Sequence, residues 1–190
     1  MANTDAPRGF WPLRHLSGGS MARTSPYTIA TTYGTNIFKG DVVKLVAGGG
    51  IELAAAGNRF LGIFDGVQYT ASDGTVVYKK YWPASTAGTN IIAYVYDDPQ
   101  MLFGVQSAGS TVAADVGNLG DHVAGTGSTT TGISAHELNG STGTGVAGFR
   151  VLGLIEQPDN AYGTNVNLIV QAAEHELNQH IDWADGTPGV

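Results

Sequence analysis

The chain contains no cysteine and few charged residues. Of its 190 residues 13% are charged, with 9 Lys and Arg against 16 Asp and Glu, so the formal net charge is −7. Without cysteine, disulfides and thiolate metal sites are excluded. The acidic excess argues against a nucleic-acid partner, because phosphate binding depends on Lys and Arg that release counterions. We therefore expect no DNA or RNA partner.

Long hydrophobic runs are also missing. No segment approaches the roughly 18 consecutive apolar residues that a membrane-spanning helix requires. Residues 1–15 lack the unbroken apolar stretch of a secretory signal. We expect no membrane partner, and we expect a protein made in the cytosol of its producer that leaves only as part of something larger.

The sequence does contain 28 glycines and a regular series of short apolar segments. These segments are rich in β-branched and aromatic residues, and each is bounded by Gly, Asp, Asn or Pro, which is typical of strands joined by turns. They cover residues 27–33, 42–46, 61–69, 76–82, 91–96, 101–106, 149–155 and 165–170. Their spacing predicts an all-β fold, a small β-barrel or sandwich.

Changes in composition divide the chain into further regions. Prolines and glycines in residues 1–26 predict an extended N-terminal arm. Residues 27–175 are predicted to form the β-barrel domain, with a Gly/Ser/Thr-rich excursion at 107–148 that is either a β-ribbon or a loop. Residues 176–190 are predicted to be an acidic C-terminal tail.

The arm has the composition of a contact surface. Aromatic residues, proline and arginine lie together there, and this mixture is enriched at interface hot spots. An arm that folds back over its own barrel and a loose terminus are the alternatives. The predicted contacts with a capsid or a neighbouring subunit are Arg8, Phe10, Trp11, Pro12, Leu13 and Arg14.

The two ends of the chain carry opposite charge. The arm has three arginines against Asp5 alone, whereas the residues after 150 include six acids and no Lys or Arg. In a closed ring of identical subunits such ends can meet, and complementary charge would set their orientation. Two independently solvated ends are the alternative.

No motif in the sequence predicts catalysis, a cofactor or a metal. In the segment 174–180 the two histidines are five residues apart, so on a helix they would not face one ligand, and we expect exposed polar residues there. Asp97 with Asp98 and Asp115 with Asp121 are the acid pairs that could bind calcium. The segment from Asp115 to Asp121 lacks the additional oxygen donors of a calcium loop, and Asp98-Pro99 is typical of a turn that ends a strand. No Gly-x-Ser-x-Gly elbow or phosphate-binding glycine loop is present.

Strand and turn motifs across residues 7–170 nevertheless resemble those of a known family, the small β-barrel decoration, or cement, proteins of tailed bacteriophage capsids. The matching stretches are Phe38-Lys-Gly-Asp-Val-Val-Lys-Leu45, Gly50-Ile-Glu-Leu53, Ala55-Ala-Gly-Asn58, Leu61-Gly-Ile-Phe-Asp-Gly-Val67, Tyr81-Trp-Pro-Ala84, Val95-Tyr-Asp-Asp-Pro99 followed by Phe103, Arg150-Val-Leu-Gly-Leu154, and Pro158-Asp-Asn160.

This resemblance implies a virion structural protein on the outer surface of the capsid, assembled in the host cytoplasm. It would bind the major capsid protein of an expanded head as a homotrimer at three-fold or quasi-three-fold positions. There it would stabilise the shell against the pressure of the packaged DNA. The family carries no catalytic residues, so the resemblance implies a protein that is not an enzyme.

Two other interpretations remain open from the sequence. One is a phage tail or fibre component, or a carbohydrate-binding module that stacks a host-surface glycan on Trp82, Tyr81 or Trp183. The other is an enzyme, such as a metal-dependent β-barrel that uses His122, His136 or His175.

Overall fold

The computed structural model describes residues 3–19, 22–140, 142–143 and 147–178. Within them the regular structure is β apart from one 3-10 turn at Ala113–Asp115, which confirms the predicted all-β class. The strands are β1 (Trp11–His15), β2 (Ser25–Ile29), β3 (Ile37–Phe38), β4 (Val42–Leu45), β5 (Gly50–Leu53), β6 (Gly62–Ala71), β7 (Val76–Lys79), β8 (Tyr81–Trp82), β9 (Gly88–Tyr96), β10 (Met101–Gln106), β11 (Ser110–Thr111), β12 (Leu119–Gly120), β13 (His122–Val123), β14 (Glu137–Leu138), β15 (Phe149–Leu154), β16 (Gly163–Thr164) and β17 (Asn167–Ala172).

Five strands close into a barrel. Their order is β4-β5-β2-β9-β6, and β6 pairs back onto β4 through Val42 opposite Ile63 and Val43 opposite Gly62. The β2–β5 pair is parallel and the other pairs are antiparallel. Strand β7 extends the sheet beyond β6. The pairing register between β6 and β9 shifts at Asp65, and a bulge of this kind bends a strand and redirects a side chain.

The second sheet incorporates the N-terminal arm. It is antiparallel, with the order β1-β10-β17-β15-β12. Strand β1 lies at its edge and pairs with β10, so Trp11 faces Gly104 across the ladder. Pro12 and an irregular register next to it are features that edge strands tolerate. Part of the predicted arm is therefore a strand of the fold itself, as in the alternative of an arm folding back.

Two hydrophobic cores result from the alternation of side chains along β4 and β6. Val43 and Phe64 point into the barrel core, together with Ile29, Leu61, Trp82 and Val95. Val42 and Ile63 point to the opposite side, into the inter-sheet core. That core also contains Phe10, Phe60, Phe103, Val105, Phe149, Val151, Leu168 and Val170. The same two strands thus serve both cores.

The described part of the Gly/Ser/Thr-rich excursion consists of short strands and loops that contact both sheets. Strand β12 extends the second sheet through β15, and β13 pairs with β14. A further segment reaches the barrel, where the Ser134 amide donates to the Lys39 carbonyl at 2.9 Å. Of the predicted acidic tail, 176–178 are described and 179–190 lie outside the described residues.

Candidate functional site

The arm is fixed against the barrel by two glycines that approach closely. Gly9 and Gly40 both have positive φ, +73° and +99°. A Cβ on Gly9 would lie 2.5 Å from the Gly40 carbonyl oxygen and 2.6 Å from the Ser134 Cβ. The Phe10 amide donates to the same carbonyl at 2.9 Å. Only glycine fits this geometry, because it has no side chain and accepts positive φ at low cost.

Trp11 lies across the second sheet because Gly104 leaves room for it. A Cβ on Gly104 would be 2.2 Å from the indole ring. The guanidinium of Arg8 lies over the indole ring, 3.8 Å from the ring centroid. This cation–π contact holds an exposed arginine in a defined orientation. No carboxylate lies within ion-pair distance of Arg8 among the described residues.

These residues border a cavity of about 210 Å³ between the arm and the barrel. We call it the arm groove. Its lining is mainly apolar and combines one edge of the second sheet with one side of the barrel. The apolar members are Phe10, Trp11, Pro12, Phe64, Tyr96 and Ile133, and the charged members are Arg8, Lys39 and Asp65.

A short polar network forms the barrel side of the arm groove. Asp65, at the bulge in β6, accepts hydrogen bonds from the Lys39 ammonium and from the Tyr96 hydroxyl, the latter at 3.1 Å. Burial, with the Asp65 charge and hydrogen bond, raises the pKa of Tyr96 to about 12. Tyr96 therefore remains a neutral donor at physiological pH, and Lys39 is already neutralised by Asp65. Arg8 is the charged side chain of the groove that is free to bind an anion.

A second, polar depression adjoins the arm groove. It has a volume of about 400 Å³ and is lined by Asn3, Gln106, Asp159, Asn167 and other residues, including Arg8. The amide of Gln106 is already used, since it donates to the Thr4 and Asn165 carbonyls at 3.0 Å. Arg8 thus stands between an apolar and a polar surface.

The structure separates the predicted arm contacts into two groups. Phe10 is 2% exposed and stacks on Phe149 at 4.4 Å between ring centroids, so its side chain packs in the inter-sheet core and offers little surface to a partner. Trp11, Pro12 and Leu13 are half-buried, whereas Arg8 and Arg14 are exposed. These five residues remain available for contact.

A buried polar cluster lies behind the arm groove and brings Asp41, Ser134 and His136 together, with His122 beside them. His136 Nε2 is 3.4 Å from Asp41 Oδ1, and its ring stacks on His122 at 5.4 Å. Ser134 hydrogen-bonds to Asp41 and accepts the His136 amide at 2.9 Å. In a nucleophilic triad the imidazole lies between serine and carboxylate. Here the carboxylate lies between them, and all four side chains are buried.

Several other sequence expectations are corrected by burial. Trp82 is fully buried in the barrel core, where it contacts Tyr69 edge to ring, so it is not a sugar platform. Tyr81 stacks on Phe38, and Trp183 lies outside the described residues. His175 was expected to be exposed but is 2% exposed, because the chain after β17 bridges to Phe60. His180 lies outside the described residues.

The candidate calcium ligands serve the backbone and neighbouring side chains. Asp97 accepts from the Ser25 and Tyr27 hydroxyls, and Asp98 accepts from the Gln100 amide. Asp115 accepts the Val112 amide and Asp121 accepts the Gly148 amide. Across the residues that the structure describes, no three His, Asp or Glu side chains form a group that could hold a metal ion.

Sequence reasoning missed Lys39, Asp65, Tyr96 and Gly104 as parts of the site. They come from three separate strands and a loop, and no local pattern connects them. The bulge at Asp65 has no signature of its own beyond the glycine that follows it.

Comparison with known proteins gave no match. No family model, no curated protein and no solved structure matched this chain. In the described part of the chain, no helix is long and apolar enough to cross a lipid bilayer.

Proposed function

We propose that this protein is a structural component of a phage virion that attaches to the outer surface of the expanded capsid. It acts as a homotrimer and stabilises the shell against internal DNA pressure. Its partner is the major capsid protein, and its action requires no catalysis. The resemblance of the strand and turn motifs to capsid decoration proteins suggests this role.

The N-terminal arm is the observation that carries the proposal, because its groove offers a surface to a neighbouring subunit while Arg14 on β1 stays exposed outside the groove for the capsid. An exposed arginine, oriented by Trp11, stands beside an apolar surface that the fold has already formed. Arginine and tryptophan dominate the binding energy at protein interfaces. Because glycine contacts and strand pairing fix the arm, little conformational entropy is lost when it binds.

The physical mechanism is selective binding. A ligand that binds the expanded lattice and not its precursor stabilises the expanded state by mass action. Three copies held together bind with a high effective concentration, so weak individual contacts are sufficient.

Co-sedimentation tests this function. Purified protein is mixed with expanded heads and, separately, with precursor shells of the phage that carries its gene. We expect saturable binding to expanded heads only. Arg14→Glu should weaken it at least tenfold, because Arg14 is exposed on β1 outside the arm groove. Arg23→Glu, a matched charge reversal at another exposed site, should have little effect.

Equal binding to both particles, or no binding to either, would refute the capsid function. Equal loss with Arg14→Glu and Arg23→Glu would show that general charge, not the β1 surface, controls attachment.

A further inference from the structure

We propose that the arm groove binds the C-terminal segment of a neighbouring copy of this chain, residues 179–190. The inference rests on the proposed homotrimer and names the contact that holds it together. It assigns Arg8 and Trp11 to contact between subunits and leaves Arg14 for the capsid.

The size and chemistry of the arm groove fit one large anchoring side chain. Its volume of about 210 Å³ is below the roughly 300 Å³ at which pockets for drug-sized ligands begin. The half-buried aromatic residues Trp11 and Tyr96 line it. An aromatic side chain inserted there would bury apolar area and gain ring contacts.

The charge of the arm groove requires a partner with an acid next to that aromatic side chain. Arg8 has no carboxylate partner among the described residues, and its stacking on Trp11 fixes the guanidinium at the rim. A guanidinium oriented in this way forms strong charge-assisted hydrogen bonds with a carboxylate. Lys39 does not compete with Arg8 for this carboxylate, because the Lys39 ammonium already forms an ion pair with Asp65.

The segment 179–190 supplies both features. Its sequence includes Ile181-Asp182-Trp183-Ala184-Asp185, in which the tryptophan lies between two acids and two residues after a branched apolar residue. The segment contains no Lys or Arg that would be repelled by Arg8. Tryptophan is among the residues most enriched at interface hot spots.

A contact between this segment and the groove of another subunit can join identical subunits into a closed ring. The arm groove and the segment are different parts of the chain, so their contact is heterologous and repeats from subunit to subunit. Such contacts close a ring of three subunits as a cyclic trimer, whereas two subunits that exchange segments reciprocally form a two-fold dimer, so the measured mass distinguishes the two assemblies. Twelve residues span up to about 40 Å when extended, which is enough to cross from one small subunit to the next.

Truncation and complementation test the inference. Molecular mass is measured by light scattering for the wild-type chain, for a chain ending at Asn178, and for Arg8→Glu. We expect a trimer for the wild type and monomers for both altered chains. A mixture of the two altered chains should form a 1:1 complex, because one supplies an intact groove and the other an intact segment.

A synthetic peptide of residues 179–190 provides the direct measurement. It should bind the truncated chain, and Trp183→Ala in the peptide should weaken binding at least tenfold. Arg23→Glu is the control for charge reversal and should remain trimeric.

Each other outcome contradicts the inference in a distinct way. A truncated chain that stays trimeric and does not bind the peptide refutes it and leaves the capsid function untouched if head binding persists. A wild-type monomer whose truncated form binds the peptide places the segment in its own groove. If the wild-type chain is a monomer that binds heads but does not bind the peptide, both the contact between subunits and the homotrimer are refuted. If the chain does not bind heads, the proposed capsid function is refuted instead.

Discussion

At the scale of single residues, the buried histidines are the feature with the clearest consequence. Burial lowers the pKa of His136 and of His175 to about 4 and also lowers that of His122. Asp41 lies close to His136, but the cost of burying a charged imidazole exceeds the attraction between them. Burial also raises the pKa of Asp41 to about 6, in spite of its hydrogen bonds from Ser134 and Phe38.

These shifts predict a loss of stability in acid. A histidine with a folded pKa of about 4 and an unfolded pKa near 6.5 stabilises the fold above pH 6.5, and this stabilisation is lost as the pH falls toward 4. His136 and His175 each contribute on the order of 3 kcal/mol. Asp41 acts in the opposite direction below pH 6, because the folded state then binds its proton more readily. Burial also raises the pKa of Glu137 and of Glu176, which act in the same direction as Asp41. Both glutamates are only half-buried, whereas the three histidines are fully buried, so the net change is destabilising.

Urea unfolding at pH 7, 6, 5 and 4 measures this effect. We expect the free energy of unfolding to fall steadily below pH 6.5. His175→Phe, which keeps a ring beside Phe60, should reduce the dependence on pH. A free energy that is constant or rises between pH 6.5 and 4 would contradict the prediction.

At the scale of elements, the contact of the arm with the barrel depends on the space that Gly9 leaves. Gly9→Ala places a Cβ against Gly40 and Ser134 and also strains a positive φ, so we expect a loss of about 2 kcal/mol or more. Gly18→Ala is the matched control: its φ is +94°, but nothing lies within 4 Å of the added Cβ, so only about 1 kcal/mol should be lost. Equal losses in urea unfolding would show that strain, not close approach, controls both positions.

The sequence predicted most elements but not their partners. The apolar run 101–106 is β10 to the residue, and the run 61–69 begins one residue before β6 and ends two residues before β6 does. The run 76–82 is divided at Lys80 into β7 and β8, which belong to different sheets. The strand β1 was not predicted, because it forms only against β10, about ninety residues later in the chain.

The same holds for the candidate site: some of its individual residues could be predicted from the sequence, but their contacts could not. Trp11 and Arg8 were identified from the residue types that interfaces favour, and this signal is local. The burial of Phe10 depends on Phe149 and Phe60, which no pattern near residue 10 reveals. Contacts between side chains of two different sheets depend on tertiary packing. The periodicity of apolar residues along the sequence does not predict these contacts.

At the scale of the whole molecule, the two cores are expected to unfold together, because β4 and β6 contribute to both. Phe149 stacks on Phe10 and on Phe60, at 4.4 and 4.5 Å between centroids. Phe149→Ala should cost about 3–5 kcal/mol. Hydrogen exchange should then show equal losses of protection in β9 of the barrel and in β17 of the second sheet.

Tyr78→Ala is the control for this prediction. Tyr78 is 69% exposed on β7, so its removal should change stability by about 0.5 kcal/mol or less. If Phe149→Ala lowers protection in β17 alone, the barrel and the second sheet are independent folding units.

The pairing of β1 with β10 also determines the order of events during translation. The ribosome releases the N-terminal end first, and the barrel strands up to β9 follow before any residue of β10 emerges. Trp11 has no ladder to join until then, and Phe10 has no ring to stack on until Phe149 has been added. Phe10 and Trp11 are therefore synthesised long before the residues that cover them, and their apolar side chains stay unprotected until then.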